Sequence, residues 1–237
     1  PGSLIEARQS LGQIQQYYTQ ALELKPTHRE SANRLLEIRY AYADYSPNSL
    51  SAWNRLYEQA NEILRTIPDH HPARKYRAMA QVRLLMALQS DRDQSMAQQA
   101  EQDLQQALSN DPHDADLQYH AALKTLREAN LSGQRGQEER AATHREQALQ
   151  RMRDFVAEHP DNLQGRLART RLTQMVNRRR DDSETLREDL VKQVNELEQR
   201  VREAGDIEAT LDTVRHLVNV DREPVTLDNV REATRGL

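Results

Sequence analysis

The feature that most restricts the fold of this chain is a proline that returns at nearly regular intervals. The prolines are Pro26, Pro68, Pro112 and Pro160, at intervals of 42, 44 and 48 residues. Because proline lacks a backbone N–H and disfavours helical geometry in the residue before it, each of these positions ends a helix. In "LSNDPHDADLQYHAAL" (108–123), Asp114 is placed to cap the next helix by accepting hydrogen bonds from its first turn.

The helices that precede these prolines share one apolar face. At four, five, eight and twelve residues before each proline, every residue is apolar or aromatic, although only 37% of the chain is hydrophobic. These offsets follow the helical spacing of one buried stripe, so the chain contains an internal repeat. The residues of the stripe are Leu22, Ala21, Tyr18 and Ile14; Leu64, Ile63, Ala60 and Leu56; Leu108, Ala107, Leu104 and Ala100; and Val156, Phe155, Met152 and Ala148.

Each interval between prolines has room for two helices. Turn-forming or polar stretches such as "YSPNS", "SDRDQ" and "LSGQRG" divide the intervals. The predicted helices are 4–24, then the pairs 28–43 with 50–66, 72–88 with 94–109, 114–130 with 137–158, and 162–178 with 183–204. Antiparallel helix pairs that stack on their neighbours form an α-solenoid, so we expect an all-α fold.

The repeat resembles the tetratricopeptide repeat (TPR) family. The resemblance rests on small or apolar residues twelve, eight and five positions before the proline, and it is clearest in "AEQDLQQALSNDP" (100–112) and "YTQALELKP" (18–26). The start of "HDADLQYHAAL", with its small pair Ala121-Ala122, is similar to that family's first helix. The units exceed the family period of about 34 residues, and Thr170 replaces the small residue in the fourth unit. The resemblance covers about residues 10–178 and implies a right-handed superhelix.

The sequence divides into three parts. Residues 1–3 resemble a cloning scar, residues 4–180 are predicted to form the TPR-like repeats, and residues 181–237 to form further helix pairs. Within 186–218, apolar residues spaced 4, 3 and 4 apart indicate a narrow seam of the coiled-coil type. The sequence stops where another helix pair is due, so we expect the natural protein to continue.

The expected function is a non-catalytic scaffold for protein–protein interaction. Stacked repeats create an extended concave surface, which suits a protein or peptide ligand better than a small-molecule substrate. In the TPR family, first-helix residues seven, eleven and fourteen after the proline line the groove. By this resemblance the partner-binding residues are Asn33, Glu37, Tyr40, Lys75, Met79, Tyr119, Leu123 and Arg171.

Two alternatives belong to other functional classes. One is an assembly element, in which the 186–218 seam makes a homo-oligomer. The other is an RNA- or phosphate-binding solenoid that uses the segment Arg151–Arg180, where eight arginines against three acids give a net charge of +5. The next segment, 181–208, carries a net charge of −6, so pairing between the two segments is favoured and nucleic acid is an unlikely partner.

Catalytic and membrane signals are missing from the sequence. There is no glycine-rich phosphate loop, no GxSxG and no nucleophile–base signature, so we expect neither catalytic residues nor a cofactor. No cysteine is present, and no apolar run approaches the roughly 18 residues of a membrane-spanning helix. These features leave the cellular compartment open.

Histidines and aromatic residues are the remaining candidates for a binding site. The histidines His28, His70, His71, His113 and His159 all lie within three residues of a repeat proline. Because helix packing sets neighbouring turns roughly 10 Å apart, we expect no shared metal site. An aromatic group, Tyr40, Tyr42, Tyr45, Trp53 and Tyr57, surrounds one predicted loop. Core packing is its favoured role, and ligand binding is the alternative.

Overall fold

The computed structural model describes residues 2–45, 49–88, 94–177 and 192–193. Within these ranges the chain is α-helical with short turns and contains no strand. The helices are α1 (Gly2–Leu24), α2 (Arg29–Tyr45), α3 (Leu50–Thr66), α4 (His71–Leu88), α5 (Gln94–Asn110), α6 (Ala115–Gln134), α7 (Glu138–Glu158) and α8 (Leu163–Asn177). The predicted all-α fold of antiparallel helix pairs is confirmed.

The helices stack in two rows. Helices α2, α4, α6 and α8 contact one another in succession and form the inner row. Helices α3, α5 and α7 each pack between two successive inner helices, and with α1 they form the outer row. Because the inner helices touch one another more closely than the outer ones do, the solenoid curves toward the inner row.

Every inner helix begins with a side-chain cap, and the capping residue always lies two positions after the repeat proline. In each case a backbone N–H three residues further on donates to the capping side chain. The caps are His28 Nδ1 with Ser31 N at 3.3 Å, His70 Nδ1 with Ala73 N at 3.1 Å, Asp114 Oδ1 with Leu117 N at 3.0 Å and Asn162 Oδ1 with Gly165 N at 2.8 Å. The predicted Asp114 cap is confirmed.

The apolar stripe of α3, α5 and α7 lies in the core. Leu56, Leu104 and Met152, which come from three successive outer helices, are all at most 2% exposed. The stripe of α1 is less covered, with Ile14 42% exposed, because α1 makes its main contact with α2. Among the described residues, the buried apolar side chains form two clusters, one from α2, α3 and α4 and the other from α4 to α8, and Tyr40, Tyr76 and Met96 pack against both.

The aromatic group of the first helix pair is divided between core and surface. Trp53 is 1% exposed, and Tyr40 and Tyr57 pack against the core around it. Tyr42 is 58% exposed, and the side chain of Tyr45 is outside the described residues. The predicted core-packing role holds for Trp53 in particular.

Several sequence predictions fall beyond the described residues. These are the helix 183–204 except for positions 192–193, the 186–218 seam and the run Arg178–Arg180. No helix in the described ranges is both long enough and apolar enough to cross a lipid bilayer.

Helices α7 and α8 approach closely at Gly165. A Cβ added to Gly165 would lie 2.5 and 2.9 Å from two carbon atoms of the Phe155 ring. We therefore expect Gly165→Ala to lower the free energy of unfolding by about 1–3 kcal/mol through overpacking. Gly12→Ala is the matched control, since, apart from the backbone of its own helix, no atom of the described residues lies within 4 Å of its Cβ position. Removing a helical glycine there should stabilise the protein by up to about 1 kcal/mol. Urea unfolding, monitored by circular dichroism, measures whether each substitution lowers or raises the free energy of unfolding. A stabilising effect of Gly165→Ala would contradict the close approach of the two helices.

Candidate functional site

All eight residues predicted to bind a partner lie on the inner row. Glu37 is exposed, and Asn33 and Tyr40 on the same helix are half-buried. Lys75 on α4 and Arg171 on α8 keep 25% and 20% of their side chains exposed. These five residues therefore lie at the surface of the inner row.

The other three predicted residues are in the core. Met79 and Leu123 are fully buried, and Tyr119 is 3% exposed. The hydroxyl of Tyr119 lies 3.7 Å from the sulfur of Met175 on α8, so its ring is used for contacts between inner helices. The groove offsets carried over from the TPR family do not place these three side chains at the surface, because α4, α6 and α8 pack against one another there.

Asp44 connects the two ends of the inner row. Its Oδ2 accepts a hydrogen bond from Nη1 of Arg171 on α8 at 3.0 Å, across 127 positions in sequence. Its Oδ1 lies 3.4 Å from Nη2 of Arg83 on α4. We call Asp44, Arg83 and Arg171 the arginine clasp. Their side chains are between 10% and 20% exposed, which strengthens charge interactions relative to those in open solvent.

Aromatic rings hold Arg83 in place. Its guanidinium carbon lies 5.2 Å from the centroid of Trp53 and 5.3 Å from that of Tyr119. This is the distance range of cation–π attraction. The Nε atom of Arg83 is buried and has no hydrogen-bond partner among the described residues. The clasp is therefore anchored on its α4 side by ring contacts as well as by charge.

His120 is fully buried beside the clasp. Its ring centroid lies 5.5 Å from Tyr119, 6.1 Å from Trp53 and 6.2 Å from Tyr40. Its Nδ1 donates to the backbone oxygen of Asp116 at 2.7 Å, and its Nε2 has no partner among the described residues. Burial, and then the charge of Arg83, lower the pKa of His120 to about 3. The imidazole is therefore neutral at physiological pH.

A second group of polar residues lies toward the start of the inner helices. The rings of Tyr40 and Tyr76 are 5.3 Å apart, and Lys75 forms an ion pair with Asp114. Burial, followed by the charges of neighbouring acids, raises the pKa of both tyrosines. Burial also raises the pKa of the Asp116 carboxyl, which accepts a hydrogen bond from Gln164 of α8 at 3.2 Å. Phenol, carboxyl and ammonium groups thus lie together at this end of the inner row.

Sequence reasoning did not find most of this cluster. Asp44, Arg83, His120 and Asp116 carry no motif, and they meet because successive inner helices pack side by side. One sequence signal was available: Tyr76 and His120 both stand eight residues after a repeat proline. That shared offset places their side chains at equivalent positions on α4 and α6.

The described arginines of the basic segment are used in separate contacts. Arg151 Nε donates to Gln118 on α6 at 2.8 Å, and Arg166 Nε donates to the backbone oxygen of Pro160 at 2.8 Å. Arg153 pairs with Glu146 on its own helix, while Arg171 belongs to the clasp. These partners all precede residue 181, whereas most of the acidic segment 181–208 lies outside the described residues. The pairing of the two segments that the sequence favoured stays a prediction.

The turn histidines have different roles. His28 and His70 cap inner helices, and His71 Nδ1 lies 3.3 Å from the side-chain nitrogen of Asn110. His113 and His159, from two different turns, lie 3.0 Å apart between Nδ1 and Nε2. The expected spacing of the turns does not keep these two rings apart, because the two side chains span the distance between the backbones.

Comparisons with known proteins support the fold. No protein-family model matches the chain, and no curated protein matches it in sequence. Among solved structures, the chain is similar to a thermophilic TPR protein of Thermus thermophilus, with a TM-score of 0.56 and 16% sequence identity. The match covers 92% of this chain and 95% of that chain. The protein therefore has a TPR-like helical-repeat fold, as the sequence predicted.

The arginine clasp predicts energetic coupling between residues far apart in sequence. In a double-mutant cycle of Asp44→Ala and Arg171→Ala, we expect a coupling free energy of about 0.5–3 kcal/mol, because the pair is largely shielded from water. The exposed pair Glu30 and Arg34 on α2 is the control, and its coupling free energy should not exceed about 0.5 kcal/mol. Urea unfolding of the single and double variants measures the coupling free energy of each pair. If Asp44 and Arg171 show no coupling, the ends of the inner row do not meet in solution.

The buried neutral His120 predicts a loss of stability in acid. The pKa of His120 is about 3 in the folded chain, against an ordinary value of 6.5. At a pH between these two values, the unfolded chain binds a proton at His120 and the folded chain does not. The free energy of unfolding should therefore fall as pH falls, by about 2 kcal/mol between pH 7 and pH 5 from this residue alone. His120→Leu should lose correspondingly less stability over the same interval. Equal pH dependence of the two proteins would show that the imidazole is accessible to protons.

Proposed function

We propose that this protein is a non-catalytic scaffold that binds a segment of a partner protein on its inner row. A curved helical-repeat stack presents an extended surface on its concave side, and such surfaces suit protein ligands. The TPR-like fold supports this class of function, and the aromatic and charged residues of the inner row support the choice of that row as the binding surface.

The observation that carries the proposal is the grouping of aromatic and charged side chains on one face of successive inner helices. The rings of Tyr40 and Tyr76 lie in contact, with the Lys75 ammonium 5.5 Å from the centroid of Tyr76. Glu37 on α2 and Arg171 on α8 add one charge of each sign to the inner row. Tyrosine and arginine are residue types that contribute disproportionately to protein–protein binding energy. The charges of both signs favour a partner segment that carries both acidic and basic side chains.

The binding surface excludes the three buried residues of the predicted set. Met79, Tyr119 and Leu123 support the surface from below by joining α4, α6 and α8. Their substitution would disturb the fold, so an experiment on binding has to use the exposed members of the inner row.

Site-specific photocrosslinking tests the proposal. A benzophenone amino acid replaces Glu37, whose side chain is 48% exposed on the inner row, and the chain is irradiated in lysate of the source organism. The control carries the same group at the exposed Gln147 on the outer helix α7. We expect a discrete crosslinked protein from position 37 that is missing from position 147 and is reduced by Lys75→Ala.

Two results would contradict the inner-row proposal. One is the same set of crosslinked proteins from positions 37 and 147. The other is crosslinking only between copies of this chain, which would favour the assembly function expected of the C-terminal residues. Circular dichroism of each variant establishes that the fold is intact.

A further inference from the structure

Two histidines of neighbouring repeat units meet at the edge of the solenoid. His113 lies in the turn between α5 and α6, and His159 lies in the turn between α7 and α8. Nδ1 of His113 is 3.0 Å from Nε2 of His159. The two ring centroids are 4.8 Å apart, and the ring planes are inclined by 77°.

We propose that His113 and His159 form a binding site for a divalent transition-metal ion of the Zn²⁺, Ni²⁺ or Cu²⁺ type. Metal–nitrogen bonds of about 2.0–2.1 Å place two imidazole nitrogens roughly 2.9–3.4 Å apart, for angles at the metal between a right angle and tetrahedral. The 3.0 Å separation between the two rings falls in this range. Neutral imidazole is a ligand that all three ions accept.

The fold holds both side chains in position before an ion binds. The Phe155 ring packs against His159, with 4.8 Å between centroids and planes inclined by 51°. The backbone of His159 is hydrogen-bonded on both sides, through its N–H to Phe155 at 2.9 Å and through its oxygen to Asn162 at 3.0 Å. Pro112 restricts the turn next to His113. An ion would take the place of a proton shared between the two rings, and each ring would turn by roughly 35–45° so that its nitrogen lone pair points at the ion.

The other histidines near the repeat prolines lack this arrangement. His28 and His70 use Nδ1 to cap helices, and His71 contacts an amide where His113 contacts a second imidazole. No group of three or more histidine and carboxylate side chains with metal-binding geometry occurs in the described part of the chain. The site therefore supplies two protein ligands, and water fills the remaining positions. Such a site binds less tightly than a closed site with four protein ligands.

A bound ion would link two adjacent repeat units. It would connect the turn before α6 with the turn before α8, and these two helices are already neighbours in the inner row. Because the two imidazoles lie together only in the folded chain, the ion binds the folded state and stabilises it by mass action. This inference does not depend on the proposed partner surface, since neither histidine contributes to it.

Isothermal titration of the chain without an affinity tag, using nickel chloride at about pH 7.5, tests the site. We expect one equivalent of Ni²⁺ to bind. His113→Ala and His159→Ala should each weaken binding by about tenfold or more, because each removes a direct metal ligand. Loss of a group that only hydrogen-bonds to a ligand already weakens metal binding by about tenfold. His71→Ala is the matched control, as it removes a histidine of an equivalent turn whose neighbour is Asn110. Its binding should equal that of the unmodified chain.

Thermal unfolding and NMR separate a metal site from a simple hydrogen bond. Nickel should raise the unfolding temperature of the chain and of His71→Ala but leave that of His113→Ala and His159→Ala unchanged. Paramagnetic Ni²⁺ should broaden the amide signals around His113 and His159 first. Binding that is the same in all four proteins, or no binding at all, would overturn the proposal.

Discussion

The structure depends on a short turn in which a proline ends an outer helix and a side-chain cap begins the next inner helix. The same two elements, two residues apart, occur at Pro26, Pro68, Pro112 and Pro160. Because the turn is rigid and is repeated, each helix pair stacks on the previous pair in nearly the same orientation. The curvature of the inner row and the meeting of histidines at the edge both follow from this repetition.

The caps also explain two of the five histidines at these turns, His28 and His70. A cap needs an acceptor that reaches a backbone N–H three residues ahead, and neutral imidazole meets that need as aspartate and asparagine do at the other two turns. Burial lowers the pKa of His70, which favours the neutral form that accepts the hydrogen bond. Histidine at such a turn is therefore structural in some units, while the imidazoles of His113 and His159 contact each other.

The inner row shows how curvature creates a charged network. Four inner helices bend far enough for Asp44 at one end to reach Arg171 at the other, and Arg83 completes the clasp from the middle. Removing charges from water is costly unless they are paired, and here one carboxylate serves two guanidinium groups. Aromatic rings around Arg83 supply the remaining attraction.

The helices and their turns could be predicted from the sequence because the signals are local. Proline geometry, capping and a stripe at helical spacing act within a few residues, and the structure places α2 to α8 close to the predicted bounds. Candidate groove residues were less predictable. Position within the repeat placed all eight on the inner row, but whether a side chain such as Tyr119 faces solvent or a neighbouring helix depends on how closely successive units approach.

The sequence by itself determined the helix pairs, the outer stripe and the proline turns, since each depends on interactions between residues close in the chain. Only the tertiary structure decided which inner-row residues are buried, that Asp44 meets Arg171, and that His113 meets His159. The physical reason is that these contacts depend on the rotation between successive units. That rotation accumulates along the stack, and no local pattern in the sequence encodes its sum.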